Sequence, residues 1–156
     1  MANVKMICWD MDGTIADLYG VPEWAKMLSH SIVCPYVIAK PMWDMEELAR
    51  LLNELRKQGI EIRIVTHLAI GADEDYKART KTAKKEWLAE YGFPYDHFHG
   101  LKYGNSKADA VRKYLAEDET AILIDDNATV RNSWHLGETI DPTAVNIIEV
   151  LKNLLN

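Results

Sequence analysis

Hydrophobic and polar residues alternate along this chain in two periods, one typical of strands and one typical of helices. Short apolar runs predict strands at 4–9, 60–66 and 120–125, with two shorter strands at 95–101 and 138–140. Leucines at helical spacing predict a helix at 44–59. Further helices are expected at about 22–31, 73–91, 106–116 and 143–155, with a short helix or turn at 128–135. Strands that alternate with helices are typical of a parallel sheet, so the expected fold class is α/β.

Capping residues predict where several of these helices begin and end. Asp44 is a typical N-cap, and Gly59 is a typical residue just past a helix end. Ser106 is the expected N-cap of a later helix, and Pro142 is expected to open the last one. The segment 16–43 is interrupted by prolines, so only one short helix is predicted within it.

Composition narrows the class of protein. The length of 156 residues predicts one domain, 1–156. No apolar run is long enough to span a membrane and the N-terminus lacks a signal-peptide pattern, so we expect a cytoplasmic protein with no membrane partner. Cys8 and Cys34 fit neither a disulfide framework nor a paired-cysteine metal site. The formal net charge of −6 argues against a nucleic-acid partner.

Polar side chains follow three of the predicted strands at the points where those strands end. Asp10 and Asp12 follow the first strand, Thr66 ends the second, and Asp125 and Asp126 end the fourth. Because the active groups of a parallel sheet lie at the carboxyl ends of its strands, these side chains are expected to meet. Carboxylates close together repel, and a hard divalent cation such as Mg²⁺ would relieve that repulsion. The alternative, that the acids only cap helices or form turns, explains two acid pairs at two strand ends poorly.

A lysine is expected to join this group of acids. Lys107 lies in the first turn of a predicted helix, where a cation opposes the helix dipole. A lysine at such a position is expected to reach into the cleft and neutralise a phosphate or a carboxylate. Lys102 is the competing candidate, and an exposed lysine without a role is the alternative.

The ordered set Asp10-Met11-Asp12-Gly13-Thr14, Thr66, Lys107 and Asp125-Asp126 resembles the four motifs of the haloacid dehalogenase (HAD) superfamily. The resemblance spans most of the chain. It implies a single-domain, Rossmann-like parallel sheet with helices on both faces and a minimal cap insert at about 16–43. The sequence LIDDN around the last motif is similar, more weakly, to the 5′(3′)-deoxyribonucleotidases.

The resemblance implies a role in phosphoryl transfer for each motif residue. Asp10 is implied as the nucleophile that forms an aspartyl-phosphate, and Asp12 as the general acid and then the base. Lys107 is implied to offset charge on Asp10 and the phosphate in the transition state. Thr66 is implied to hydrogen-bond the transferring phosphoryl group, and Gly13 to permit the turn beneath it.

The same resemblance implies Mg²⁺ as the cofactor. Its implied ligands are Asp10, Asp12 through its backbone carbonyl, and Asp126, with Asp125 assisting; which of the last two binds the metal directly stays open. An acid at position 12, in place of an apolar residue, favours phosphoryl transfer over dehalogenation, which needs no Mg²⁺.

Several residues outside the motifs are candidates for substrate contact. His67 is expected to face the phosphate site. Trp24, Tyr36 and Trp43 lie in the insert and could stack on a flat group such as a base, with packing onto the core as the alternative. Because the insert is too short for a large cap, an open or lightly lidded site is expected.

Three further features of the sequence lie outside the predicted site or at its edge. The basic stretch 76–87 is expected to be a solvated helix face rather than a nucleic-acid surface. His97 and His99 lack the rest of a zinc ligand set. Trp134 and His135 follow the last motif and are expected to edge the pocket.

The sequence therefore predicts a Mg²⁺-dependent phosphomonoesterase, a hydrolase that acts through an aspartyl-phosphate on a nucleotide or another small phosphorylated metabolite. One alternative is a polynucleotide phosphatase, which an open site would suit. Another is a non-catalytic phosphate-binding protein or a signalling module. A homodimer that orders the insert also stays open.

Overall fold

The computed structural model describes residues 3–69 and 73–156, and its centre is a five-stranded parallel sheet. The strands in chain order are β1 (Asn3–Trp9), β2 (Ala16–Asp17), β3 (Lys40–Pro41), β4 (Glu61–His67), β5 (His97–Leu101), β6 (Glu119–Ile124) and β7 (Thr139–Ile140). The sheet has the order β5-β4-β1-β6-β7, and every pair in it is parallel. The predicted α/β, Rossmann-like arrangement is confirmed.

Helices separate these strands. They are α1 (Trp24–Ser29), α2 (Cys34–Ile38), α3 (Met45–Lys57), α4 (Glu74–Glu90), α5 (Lys107–Val111), α6 (Ala128–Ser133) and α7 (Ile147–Leu155). The predicted N-caps are in place, since the side chains of Asp44 and Ser106 accept hydrogen bonds from backbone amides in the first turns of α3 and α5. Throughout the described residues, each helix is too short or too polar to cross a bilayer.

Helices cover both faces of the sheet because successive side chains of each strand point to opposite sides. Ile7 and Trp9 of β1 pack on the face covered by α3, α4 and α7. Met6 and Cys8 pack on the other face, against α5 and Trp134. A strand buried on both faces has a continuous apolar sequence, which is why the run at 4–9 predicted it.

The insert at 16–43 contains more structure than the sequence predicted. Its two ends are joined by β2 and β3, which pair antiparallel. A second helix, α2, forms where Pro35 was expected only to interrupt the chain. Pro35 lies in the first turn of α2, where its missing amide hydrogen has no intrahelical acceptor to lose.

Two helix boundaries were predicted wrongly. The helix at 106–116 is α-helical only to Val111 and continues as a 3₁₀ turn, Arg112–Tyr114. The last helix does not open at Pro142, because the side chain of Asn146 accepts hydrogen bonds from the amides of Ile148 and Glu149 and so starts the helix four residues later.

Candidate active site

The carboxyl ends of β1, β4 and β6 lie side by side and bring the predicted site residues to one edge of the sheet. The central strand β1 pairs with both β4 and β6. The predicted residues that line one cavity of about 560 Å³ at this edge are Asp10, Asp12, Thr66, His67, Lys107, Asp125 and Asp126. We call Asp10, Asp12, Asp125 and Asp126 the acid cluster.

A tight turn after β1 presents Asp10 and Asp12 to this cavity. The amide of Gly13 donates to the carbonyl oxygen of Ala16 at 2.8 Å, which closes the turn. Gly13 has a φ of +79°, a conformation that side chains other than glycine rarely adopt. A Cβ atom there would collide with the carboxylate of Asp126. The glycine therefore allows the turn to pass directly beneath the acid cluster.

Lys107 links the acids that follow β1 to the acids that follow β6. Its Nζ donates to Asp10 Oδ1 at 2.9 Å and to Asp125 Oδ2 at 2.8 Å, and all three side chains are largely buried. Ser106 caps the helix at the preceding position and so directs the start of α5 toward the site. Lys102, the competing candidate, is exposed.

The charges of Asp10 and Lys107 stabilise each other. Burial by itself would raise the pKa of Asp10, but the positive charge of Lys107 and its hydrogen bond outweigh burial and lower that pKa below its usual range. Burial would likewise lower the pKa of Lys107, but Asp10 and Asp125 raise it. Asp10 is therefore held as a carboxylate, the form that a nucleophile needs.

The other three acids have raised pKa values. Burial is the largest cause for each, and the negative charge of Asp10 adds to it for Asp125 and Asp126. The pKa of Asp126 is raised to about 7. The pKa of Asp12 is also raised, mainly by burial, although the charge of Lys84 opposes the rise.

The acid cluster has the donor set that a magnesium ion requires. Carboxylate oxygens of Asp10, Asp125 and Asp126 lie within 4.8 Å of one another. Mg²⁺ prefers oxygen ligands, and a divalent charge there would relieve the repulsion from Asp10 that adds to burial in raising the pKa of Asp126. The carboxylate of Asp12 accepts a hydrogen bond from Lys84 instead. The backbone carbonyl of Asp12 is therefore the group that the predicted metal contact requires.

Lys84 is a site residue that the sequence analysis missed. It belongs to the basic stretch 76–87, which was expected to be solvated, yet its side chain is fully buried. Its Nζ donates to Asp12 Oδ2 at 2.9 Å, to Thr66 Oγ1 at 2.7 Å and to the carbonyl oxygen of His67 at 3.0 Å. Helical spacing could have found it, because Lys84 lies four residues after the buried Thr80 and three before the buried Trp87.

Two threonines flank the nucleophile. The hydroxyl of Thr66 accepts a hydrogen bond from Lys84 at 2.7 Å and donates a long one, at 3.4 Å, to the carbonyl oxygen of His67. Thr14, which is fully buried, donates from Oγ1 to Asp10 Oδ2 at 3.3 Å and so helps to orient that carboxylate. The indole of Trp43 donates to the carbonyl oxygen of Thr14 at 2.7 Å, so Trp43 supports the turn from outside the cavity.

His67 lies on the cavity wall, but its ring is already engaged. Its Nε2 donates to the carbonyl oxygen of Asn105 at 2.8 Å, and its ring packs against that of Tyr103 with centroids 5.8 Å apart. These contacts tie the end of β4 to the loop before α5. Contact of His67 with a phosphate remains a prediction.

Of the aromatic candidates in the insert, Trp24 and Tyr36 line the cavity, whereas Trp43 is not among the described residues that do. The expectation for Trp134 and His135 was wrong. Trp134 is buried on the face of the sheet that α5 covers, where its indole donates to the carbonyl oxygen of Ala121. His135 accepts a hydrogen bond from Arg112, on the surface and outside the cavity.

Comparison with known proteins gives a likeness of fold without a sequence family. No family model matches the chain, and no curated protein matches its sequence. A chain in the structure of a Pnkp1/Rnl/Hen1 complex is similar, with a TM-score of 0.56 and 16% identity over 90% of this chain and 45% of that one. A chain in the Pnkp1/Rnl/Hen1 RNA repair complex gives the same TM-score and identity, with 42% of it covered. This chain therefore spans less than half the length of both.

A third structure matches over nearly the whole of both chains. It is the D,D-heptose 1,7-bisphosphate phosphatase from Burkholderia thailandensis, with a TM-score of 0.50 and 10% identity over 97% of this chain and 99% of that one. At such identities the likeness concerns the fold alone. It fits the HAD-like fold that the four motifs implied.

Proposed function

We propose that this chain is a Mg²⁺-dependent phosphomonoesterase, a hydrolase that acts on a small phosphorylated metabolite through an aspartyl-phosphate. One observation carries the proposal. The buried carboxylate of Asp10 is held ionised by Lys107 at 2.9 Å, and a second carboxylate with a raised pKa, Asp12, lines the same cavity. Two carboxyl groups thus lie side by side with pKa values shifted in opposite directions, as the separate roles of nucleophile and proton donor require.

The first step in this proposal forms the aspartyl-phosphate. A carboxylate oxygen of Asp10 attacks phosphorus while the bond from phosphorus to the ester oxygen breaks. Asp12 gives its proton to the departing ester oxygen, which leaves as an alcohol. Lys107 and the hydroxyl of Thr66 offset the charge on the transferring group.

The second step releases phosphate. Asp12, now a carboxylate, takes a proton from a water molecule whose oxygen attacks phosphorus, and the bond to Asp10 breaks. Inorganic phosphate leaves, Asp10 regains its charge and Asp12 is again protonated. Lys84 holds the carboxylate of Asp12 in one place through both steps, because its contacts with Thr66 and with the carbonyl oxygen of His67 fix its own position.

The residues that would hold Mg²⁺ are Asp10, Asp126 and the backbone carbonyl of Asp12. Asp126 is favoured over Asp125 as the direct ligand, because both oxygens of Asp125 already accept hydrogen bonds, from Lys107 and from the amide of Asn127. When bound, the ion supplies positive charge that offsets the acid cluster and the phosphate oxygens.

The proposal is tested by phosphate release from a panel of phosphomonoesters with and without Mg²⁺. Release is expected to require the metal and to be abolished by Asp10→Asn, with the exposed acid variant Asp118→Asn as the matched control. Mass spectrometry of the quenched enzyme is expected to show one added phosphoryl group, located on Asp10. Release that survives Asp10→Asn would contradict the mechanism. Mg²⁺ binding without release from any ester would favour a signalling or binding protein.

A second candidate function is removal of a terminal phosphate from RNA. It is favoured by the likeness of fold to chains in a Pnkp1/Rnl/Hen1 RNA repair complex. The formal net charge of −6 weighs against it, because nucleic-acid sites are usually basic. A 3′-phosphorylated oligonucleotide in the panel separates the two, since the first proposal expects nucleotides to be better substrates than the oligonucleotide.

A further inference from the structure

The two edges of the central sheet differ in length. Among the described residues, β7 is the outermost strand on one side and has two residues, whereas β5 is outermost on the other side and has five. An outermost strand presents amide and carbonyl groups that no neighbouring strand uses, and a very short strand limits that exposure. In the part of the chain that the structure describes, β5 is therefore the longer open edge of the sheet.

The pairing of β5 with β4 determines which main-chain groups point outward. The two strands are parallel from His97 to Leu101. Just before β5, the amide of Asp96 donates to the carbonyl oxygen of Ile62 at 2.7 Å. Amide and carbonyl groups of successive strand residues point to alternate sides, so those of His97 and His99 point away from β4. These are the groups with which an added strand would form hydrogen bonds.

Lysine side chains flank this edge on both faces of the sheet. On the face covered by α4, Lys85 Nζ lies 5.3 Å from the centroid of the Phe98 ring. On the other face, Lys113 Nζ lies 5.3 Å from the centroid of the Tyr114 ring, which in turn lies 5.9 Å from the ring of His99. Both lysines are exposed, and we call them the flanking lysines.

The charges of the flanking lysines are available to a partner, whereas the acids beside β5 are already paired. Asp96 forms an ion pair with Arg56 at 2.7 Å, and Glu61 forms one with Arg63 at 2.7 Å. The ion pairs of α4 and of the 3₁₀ turn after α5, within the described residues, use other cations than the flanking lysines. The β5 edge is therefore locally positive, although the formal net charge of the chain is −6.

This charge decides what kind of strand can pair with β5. Two copies of the chain joined edge to edge would bring the flanking lysines of both copies together, and like charges opposed across a sheet repel. An extended segment with acidic side chains would instead be attracted. Because the side chains of a strand point alternately to both faces, such a segment can place acids beside both lysines. Tyr114, which is 43% exposed, adds apolar surface beside the same edge.

We infer that β5 is a docking edge for an acidic, extended segment of another protein, which adds to the sheet as a further strand. The main chain of the segment forms hydrogen bonds with His97 and His99, and its acidic side chains lie beside Lys85 on one face and Lys113 on the other. The chemistry at Asp10 has no part in this binding, so the inference is independent of the proposed function. A polyanion such as RNA shares the charge of the segment but not its main-chain pairing, and the experiment separates the two.

The test uses a fluorescently labelled peptide, Val-Glu-Glu-Val-Asp-Glu-Val-Thr, which as a strand has acids on both faces. Fluorescence anisotropy is expected to show saturable binding that weakens between about 50 and about 500 mM salt, because the flanking lysines are exposed. Hydrogen exchange followed by NMR is expected to slow at the amides of His97 and His99. The absence of binding at about 1 mM peptide would overturn the inference.

Main-chain pairing is tested from both partners. The same peptide with every backbone amide methylated keeps its charges but cannot donate to β5, and its affinity is expected to fall by roughly 10-fold or more. His97→Pro removes an outward amide at an edge position that accepts proline, and it should weaken binding of the unmodified peptide. His97→Ala keeps that amide and is the matched control. If the methylated peptide and an oligouridylate bind as tightly as the unmodified peptide, β5 is only an anion-binding surface and the inference fails.

The role of charge is tested by reversal of single lysines. Lys85→Glu and Lys113→Glu are each expected to weaken peptide binding by roughly 10-fold at low salt, and each lysine is exposed, so the fold should tolerate the change. Lys152→Glu is the matched control, because Lys152 is an exposed lysine on α7, a helix that packs against α3. An equal loss of binding in Lys152→Glu would assign the binding to net charge alone and overturn the docking edge.

Discussion

The ammonium group of Lys84 lies 2.9 Å from the carboxylate of Asp12, although the two residues are 72 positions apart in the sequence. Each hydrogen of that ammonium group has an acceptor, since it also donates to Thr66 Oγ1 and to the carbonyl oxygen of His67. The site therefore contains two buried lysines with separate partners, Lys107 on Asp10 and Lys84 on Asp12. This arrangement fixes the two carboxylates independently.

Replacement of Lys84 by methionine is expected to destabilise the protein by about 3 kcal/mol, because it leaves a largely buried carboxylate without its counter-charge. The loss depends on pH. Without Lys84 the pKa of Asp12 rises further above its unfolded value, so the folded state holds its proton to higher pH. The free energy of unfolding then falls as pH rises between those two pKa values. Urea unfolding should show a smaller loss at about pH 5 than at about pH 8.

The neighbouring lysine provides the control for this prediction. Lys85 is exposed, so Lys85→Met should change stability little. The double variant Lys84→Met/Asp12→Asn should recover most of the loss, because no uncompensated charge remains. If Lys84→Met costs no more than Lys85→Met, the ion pair with Asp12 has no energetic importance.

Asp12→Asn is expected to lower kcat by about 10²- to 10⁴-fold, the usual contribution of a general acid or base, because an amide can neither give nor take the proton. Formation and hydrolysis of the aspartyl-phosphate should respond differently to this change. With 4-nitrophenyl phosphate, whose leaving group needs no proton, the variant should release one equivalent of nitrophenol rapidly and then turn over slowly. Stopped-flow absorbance measures this burst. A variant that loses the burst and the steady-state rate equally would place Asp12 outside the proton transfers.

Gly13→Ala is expected to damage activity more than stability. Both Gly13 and Gly59 have positive φ, so alanine at either position is strained by about 1 kcal/mol. Only at Gly13 would the new Cβ meet Asp126 and the ring of Tyr19, whereas nothing lies within 4 Å at Gly59. Displacing the acid cluster should therefore lower kcat by about 10²-fold in Gly13→Ala alone. Similar kcat values in the two variants would show that the cluster tolerates the displacement.

The stabilisation by Mg²⁺ is expected to increase with pH. The pKa of Asp126, raised to about 7, is far above its unfolded value, so the metal-free protein loses stability as pH rises toward 7. Mg²⁺ competes with the proton on Asp126. The stabilisation by Mg²⁺ is therefore complete only above the pKa of Asp126 in the folded protein. The rise in Tm on adding Mg²⁺ should be larger at about pH 8 than at about pH 6.

The variant Asp126→Asn tests the same link between Mg²⁺ binding and the charge of Asp126. It should raise the stability of the metal-free protein at about pH 8, because it removes a repelling charge, and it should abolish the response to Mg²⁺. Asp118→Asn, at an exposed acid, should change neither. A response to Mg²⁺ that persists in Asp126→Asn would transfer the direct ligand role to other members of the acid cluster.

Local patterns determined much of this protein. The apolar runs of β1, β4 and β6 are buried on both faces of a parallel sheet, and such burial leaves a periodicity that short stretches of sequence display. Residues that follow those strands must meet at one edge, so Asp10, Thr66 and Asp125 could be placed together without coordinates. The predicted helix boundaries were less accurate. The last helix starts after its N-cap, Asn146, although Pro142 is also a residue that commonly opens a helix.

What the sequence alone determined is thus the sheet, its acid-bearing edge and Lys107, because each follows from spacing along the chain and from the resemblance of the motifs. Only the tertiary structure decided that Lys84 belongs to the site, because helical spacing with Trp87 favours a buried position for Lys84 but does not show that its partners are Asp12 and Thr66. It also decided which aromatic residues of the insert face the cavity, placing Trp24 there and Trp43 behind the turn. Contacts between residues far apart in the chain have no local period, and they form only when the elements pack together.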